Sequence, residues 1–323
     1  MRAAVLDAPG EEPVVRDHPE PGDAAGHTLV TVTAAPIVPL DVLAASGTSY
    51  FGRPATPYVP GTQGVGVVAR SGALPAGTRV FFTTSAGMAP GNGSHAERCL
   101  VPDDDVVPLD PGVPDTAAAA LGLSAVAAWT VLTERARLQP GERVLVLGGG
   151  GAVGQVAVAA AKVLGAGRVV AVCRSAAAQE RARRAGADDV VPLHGDVDEL
   201  TASFRDACEG SVDVVVDPVF GAPATAASRV LADRGRLVNL GSAAGDVAEF
   251  SSAVLRSRTA AVLGHTNNAL TPDQRGAALA AVFGHAAAGR LAVDHEQLPL
   301  AEAAVAWRRP ATGQAGVRLV LVP

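Results

Sequence analysis

Residues 143–154 read Arg143-Val144-Leu145-Val146-Leu147-Gly148-Gly149-Gly150-Gly151-Ala152-Val153-Gly154, and their reading decides the fold. A run of branched apolar residues without polar alternation predicts a strand covered on both faces, as in a parallel sheet. It passes directly into glycines and then into Gln155-Val156-Ala157-Val158-Ala159-Ala160-Ala161, small residues that suit a helix lying close to a strand. Gly149, Gly151 and Gly154 fall on the spacing G-x-G-x-x-G. In such a turn Gly149 is expected to permit the tight bend, and Gly151 lets backbone approach a pyrophosphate with no Cβ in the way. Gly154 lets helix and strand touch. The amides of Ala152 and Val153 and the positive end of the helix dipole then face the phosphates. A glycine turn alone serves equally to reverse the chain. Strand, turn, helix and second strand in succession argue for a bound dinucleotide.

That second strand, residues 168–173, ends at Cys173 and is followed by Arg174 and Ser175. Folds that prefer NAD set an acidic residue here for the ribose hydroxyls. Here no carboxylate repels a 2′-phosphate, Arg174 is able to pair with one bidentately, and Ser175 is able to donate a hydrogen bond, so NADPH is expected over NADH. The competing reading makes Arg174 a solvated loop residue.

Working outward, strand-like and helix-like segments alternate at 168–173, 176–186, 212–217, 224–233 and 235–241, which predicts a parallel sheet wrapped by helices. The first third differs. Short β-prone runs at 3–7, 27–37, 64–70, 78–82 and 95–102 are broken by Gly and Pro, with one helix at 41–46, and predict a twisted or barrel-like β domain. The tail holds helices at 272–288 and 299–307 and a closing strand at 317–322, and is placed back on the first domain. At 323 residues the chain exceeds one hydrophobic core. The expected division is residues 1–120 with 266–323, and residues 121–265.

A net charge of −6 with scattered arginines offers no basic stripe for nucleic acid. The opening residues lack an apolar leader core, and the apolar stretch 117–132, broken by Gly122 and Ser124, is short for a bilayer, so no membrane partner and a cytoplasmic location are expected. Cys99, Cys173 and Cys208 lie far apart and are no disulfide framework.

The chain resembles the zinc-independent quinone oxidoreductase branch of the medium-chain dehydrogenase/reductase superfamily. The resemblance runs through Pro60-Gly61-Thr62-Gln63-Gly64-Val65-Gly66, Gly77-Thr78-Arg79-Val80, Gly93-Ser94-His95-Ala96-Glu97, Leu138-Gln139-Pro140-Gly141-Glu142, the glycine turn, Ala185-Gly186-Ala187-Asp188, Asp213-Val214-Val215-Val216-Asp217 and Gly235-Arg236-Leu237-Val238. It implies an α/β protein: a GroES-like β-rich catalytic domain, a Rossmann domain with a doubly wound parallel sheet of about six strands, and an active-site cleft between them. It also implies a homodimer through the last Rossmann strand, and hydride transfer from NADPH to quinones or α,β-unsaturated carbonyls.

Zinc-dependent relatives carry a His where this chain has Thr62 and a Cys near Ile37 or Val38, so no metal is expected. Tyr50, in a Gly-x-Tyr-like segment, is the candidate donor to the acceptor oxygen, against a role in packing the cofactor rim. Asp41 is the second catalytic candidate, against loop capping. Val219, Gly241 and His265 are expected along the cofactor. His265 is either an acid or a loop residue with satisfied hydrogen bonds. Val38 and Ala127 replace polar residues of the family's site, which implies a more apolar pocket. Two rivals follow: a tailoring reductase of secondary metabolism acting on one elaborate enone, and a non-catalytic NADPH-binding sensor or scaffold.

Overall fold

The computed structural model describes residues 1–49, 51–109, 111–311 and 316–323. β1 (Arg2–Val5) pairs antiparallel with β2 (Val14–Asp17). The long β3 (His27–Ile37) leads to α1 (Pro39–Ser46), which starts on Pro39 with its pre-set φ and stops at left-handed Gly47, φ 74°. β4 (Gln63–Arg70), β5 (Arg79–Thr83), β6 (Arg98–Pro102) and β7 (Val106–Pro108) complete the first β-rich stretch, followed by α2 (Asp115–Thr130).

The alternation then begins: β8 (Arg143–Leu147), α3 (Ala152–Val163), β9 (Arg168–Cys173), α4 (Ala176–Arg184), β10 (Asp189–Pro192), α5 (Val197–Ala207), β11 (Val212–Asp217), α6 (Gly221–Ser228), β12 (Leu231–Asn239), α7 (Ser252–Ser257), β13 (Ala261–Gly264) and α8 (Pro272–Ala287). The tail adds β14 (His295–Pro299), α9 (Ala303–Ala311) and β15 (Arg318–Val322).

The second sheet runs β10-β9-β8-β11-β12-β13, with every pair parallel. This is the doubly wound order, reversing direction between β8 and β11, where such sheets open a crevice at their carboxyl ends. β8 and β9 read as apolar runs, residues 144–147 and 169–173, because both faces of the sheet are covered there. Leu145, Leu147, Val172, Leu200, Phe204, Val215 and Leu237 are buried in one cluster. The other large sheet runs β14-β15-β3-β4-β5-β7, with β6 also on β3. Alternate residues of β3, β4 and β5, among them Val30, Val32, Val68, Val80 and Phe82, form its core.

The chain divides into two compact units, Met1–Gly122 with Val293–Pro323 and Leu123–Ala292. The return to the first unit thus begins at Val293 rather than at 266. The reason is α8. Ala278, Leu279, Val282 and Phe283 are buried, and His285 lies 5.1 Å from the ring of Trp129 in the same second unit. The passage from first to second unit falls at Gly122, whose φ of 37° and ψ of −138° interrupt α2. A Cβ there would meet the Gln63 amide at 2.6 Å.

The helical stretch Asp115–Arg135 is longer than the apolar run 117–132 suggests and passes the length and composition test for a membrane span. However, 67% of its apolar window is buried inside the protein, as in a core helix. All three cysteines are free and buried.

Candidate dinucleotide site and its surroundings

At the carboxyl end of β8 the chain bends through Gly148, the left-handed residue of the turn at φ 69°. The bend therefore belongs to Gly148, one residue before the Gly149 expected to make it. Gly149 is required for another reason: a Cβ there would lie 2.6 Å from that of Ala171 on β9, while its amide donates to Val172 O at 3.0 Å. A Cβ on Gly154 would reach the Gly149 Cα at 2.6 Å and overlap the Gly148 carbonyl, so the helix lies against the turn as the motif predicts. Gly150, the variable position of the motif, is equally confined, with a Cβ 2.6 Å from Ala178 Cα on α4.

Gly151 alone in the turn would accept a Cβ at ordinary contact distance, its one neighbour within 4 Å being Gly148 O at 3.4 Å. It is the N-cap of α3 and offers no side-chain cap, and the first helical bond comes from Gln155 N to Gly151 O at 2.8 Å. The amides of Ala152, Val153 and Gly154 hence have no acceptor within the helix. Open donors at a helix N-terminus, beside a position free of Cβ, fit a diphosphate.

At the end of β9, Ser175 caps α4, accepting from Ala178 N at 3.2 Å, and its hydroxyl proton stays available. Arg174 is exposed and, among the described residues, makes no ion pair. Cys173 is buried. Burial pushes its thiol up, against the opposing effects of the Gly150 amide and of Arg181 and Arg183. Arg181 escaped the sequence reading: its Nε donates to Gly150 O at 2.9 Å, tethering the glycine turn to α4. The signal was its position three residues after Ala178, on the helix face that meets Gly150.

The ends of β11 and β12 are braced by two more residues that sequence reasoning missed. Fully buried Asp217 accepts from Val219 N at 3.0 Å and Phe220 N at 2.7 Å. Asn239 Nδ2 donates to Asp217 O at 3.2 Å and to Gly241 O at 2.7 Å. Burial raises the Asp217 carboxyl, opposed by those amides and Asn239. Val219 and Gly241 thus sit in loops locked together. Val219 also borders the turn, its Cγ2 lying 3.0 Å from where Gly148 would carry a Cβ, while a Cβ on Gly241 would press on Pro218 O at 2.8 Å.

His265 follows β13. Its amide donates to Asn239 O at 2.8 Å, and Nε2 lies 3.2 Å from Thr130 Oγ1 and 3.3 Å from Asn267 Oδ1. Burial lowers its pKa, with Asn267 opposing, so it is held as a neutral, hydrogen-bonded imidazole.

In the first unit, Asp41 is 2% exposed. Its Oδ2 accepts from Val38 N and its Oδ1 from Thr62 N, both at 2.8 Å. That is the arrangement of a residue holding the start of α1 to the loop before β4. His95 is fully buried, with Nε2 3.1 Å from Pro36 O and 4.0 Å from Asp41 Oδ2, and with no partner on Nδ1 among the described residues. Burial lowers its pKa, against the pull of Asp41. Tyr58, also beside Asp41, is buried with its phenol pushed up to about 12, mainly by desolvation. Tyr50 lies outside the described residues.

A doubly wound parallel sheet with an open amide cradle at its first turn, in a chain that also carries a β-rich unit, is the architecture of a nicotinamide-dependent oxidoreductase. Residues 24–111 match the model for the alcohol dehydrogenase GroES-like domain, and residues 152–282 that for zinc-binding dehydrogenase. Quinone oxidoreductase-like protein 2 of Bos taurus is 30% identical over 81% of this chain and 74% of its own length. A phenolphthiocerol/phthiocerol polyketide synthase polypeptide of Mycobacterium tuberculosis is 32% identical over 98% of this chain, which spans 14% of that relative's length. The solved quinone oxidoreductase of Thermus thermophilus, studied also in complex with NADPH, superposes with a TM-score of 0.80 at 29% identity, with 100% of each chain covered. The chain belongs to the quinone oxidoreductase-like branch of the medium-chain dehydrogenase/reductase superfamily.

Thr62 stands where zinc-dependent relatives place a His, and among the described residues no group of three or more His, Cys, Asp or Glu side chains is arranged to hold an ion.

Proposed function

We propose that the chain is an NADPH-dependent reductase that delivers hydride to a quinone or an α,β-unsaturated carbonyl without a metal ion. One observation carries this reading. Where NAD-preferring sheets set a carboxylate, β9 ends in an exposed Arg174 without an ion pair among the described residues and a Ser175 with a free hydroxyl proton, next to the open glycine turn. The NADPH complex of the Thermus thermophilus relative supports the same choice of cofactor.

When bound, NADPH supplies the hydride. The amides of Ala152 and Val153 hold the diphosphate, Arg174 and Ser175 the 2′-phosphate, and Val219, Gly241 and His265 are assigned to the nicotinamide half. With Thr62 in place of a zinc ligand, charge developing on the acceptor oxygen falls to hydrogen-bond donors, which favours conjugated acceptors that spread that charge. Tyr50 is assigned as that donor or as the source of the enolate proton, with water as its alternative. Asp41 acts indirectly, by fixing the loop that carries Thr62. The free edge of β13 is assigned to a homodimer, which sedimentation analysis tests directly.

Calorimetric titration tests the base of the reading: NADPH should bind at least tenfold tighter than NADH, and absence of NADPH binding sinks it. Steady NADPH oxidation with a simple quinone or enone tests the acceptor, and Tyr50→Phe should then lower kcat about ten- to a hundredfold.

The polyketide synthase relative, matched along 98% of this chain, favours a second reading, reduction of one elaborate enoyl substrate. The apolar Val38 and Ala127 agree with it. Under this reading NADPH binds while broad quinone screens stay silent.

A further inference from the structure

Four arginines, Arg135, Arg137, Arg234 and Arg236, line one groove of about 470 Å³ in the second unit, opposed there by two carboxylates, Glu134 and Glu142. Glu142 is already committed. Arg236 pairs with it through Nη1 at 2.8 Å and Nη2 at 2.9 Å, and also holds Ala136 O at 2.8 Å from Nη2. Burial raises the Glu142 carboxyl, but Arg236 and the Gln139 amide outweigh it and keep the group ionised. Arg236 is thereby a brace for the backbone at 136–137. Glu134 has an amide neighbour, Gln274 Nε2 at 3.4 Å. Arg135 uses Nε on Gly264 O at 2.9 Å, which leaves its terminal nitrogens. Arg137 and Arg234 are exposed and make no ion pair among the described residues.

The backbone supplies an independent observation. Arg137 and Arg234 are two of the five non-glycine residues with positive φ among the described residues, at 52° and 59°. Left-handed backbone strains a residue with a Cβ, and glycine is the cheap occupant. Two of these positions, Arg137 and Arg234, set their guanidiniums on the same groove. Strain kept at a surface position is the kind that accompanies a binding role.

We propose that this groove binds a phosphate-bearing small molecule, gripped by Arg137 and Arg234 with Arg135 beside them, as a second anion site apart from the glycine turn. Guanidinium forks match phosphate oxygens bidentately, and Arg236 sets the loop from which Arg137 projects. The site does not depend on the choice of cofactor.

The test exploits the strain. Arg137→Gly with Arg234→Gly removes both guanidiniums and relaxes both backbones, so this double variant should melt at or above the wild-type temperature. Calorimetric titration of the full chain with inorganic pyrophosphate, with and without saturating NADPH, should show a component that NADPH does not displace. The double glycine variant should weaken that component at least tenfold. Arg205→Ala with Arg256→Ala removes the same charge elsewhere on the second unit and should leave it unchanged. The proposal is overturned if wild type shows no such component, if the glycine variant retains it, or if the control pair weakens it equally. Failure of NADPH to bind would strike the cofactor reading alone, because the difference between the variants is read without NADPH as well.

Discussion

Single glycines in the turn separate folding from binding. A Cβ on Gly151 has room in the protein itself but would project into the space left for a phosphate, whereas one on Gly154 collides with backbone of the turn. Gly151→Ala should therefore melt within a degree or two of wild type yet lose NADPH affinity tenfold or more. Gly154→Ala should lose about 1–3 kcal/mol of stability as an overpacked contact. Calorimetry and thermal melts distinguish the two, and equal behaviour would refute the division of roles. Arg174→Ala should weaken NADPH while leaving NADH binding unchanged. At this scale the sequence revealed what spacing encodes: Gly149 and Gly151 follow the end of β8, Gly154 lies in the first turn of α3, and Cys173, Arg174 and Ser175 stand at the end of β9. It hid Gly148 as the true bend, because a run of four glycines does not say which one takes positive φ. It hid Arg181 as well, because its contact with Gly150 O depends on how α4 lies across the turn.

Between elements, the buried contact of Asp217 with the 219–220 amides and its Asn239 neighbour ties the ends of β11 and β12 into one unit. Asp217→Ala should leave these amides without an acceptor, at about 1–3 kcal/mol of stability, and should reduce NADPH affinity more than that of 2′,5′-ADP, which lacks the nicotinamide half. Equal losses for the two ligands would reduce Asp217 to a purely structural role. The central strands of the parallel sheet were legible because burial on both faces leaves apolar runs such as residues 144–147 of β8. The place of α8 was not: an amphipathic helix announces a buried face without announcing its partner, and here His285 meets Trp129 of the second unit. The kink at Gly122 was equally hidden, since neither its φ of 37° nor the approach of Gln63, which together exclude a Cβ, is written in the local sequence.

For the molecule as a whole, buried histidines set the response to acid. Burial depresses His95 and His265 below the ordinary 6.5. Below that value the unfolded chain takes up protons that the folded chain refuses, so their contribution is complete above about pH 6.5 and is lost as pH falls. Melting temperature should drop between about pH 7 and pH 5, and His95→Gln, which is able to keep the donation to Pro36 O, should flatten the slope; an unchanged slope would remove His95 from the account. The concealed thiols have a different consequence. Burial pushes Cys99 to about 12 and Cys208 to about 11, and raises Cys173 as well. Quinones and enones, the acceptors of the proposed function, are soft electrophiles that alkylate thiolates, and a reductase of that kind gains from offering none. Native chain exposed to N-ethylmaleimide should emerge from mass spectrometry unlabelled and take up three adducts only after denaturation; under the proposed function, that concealment leaves no thiol open to arylation by a quinone substrate.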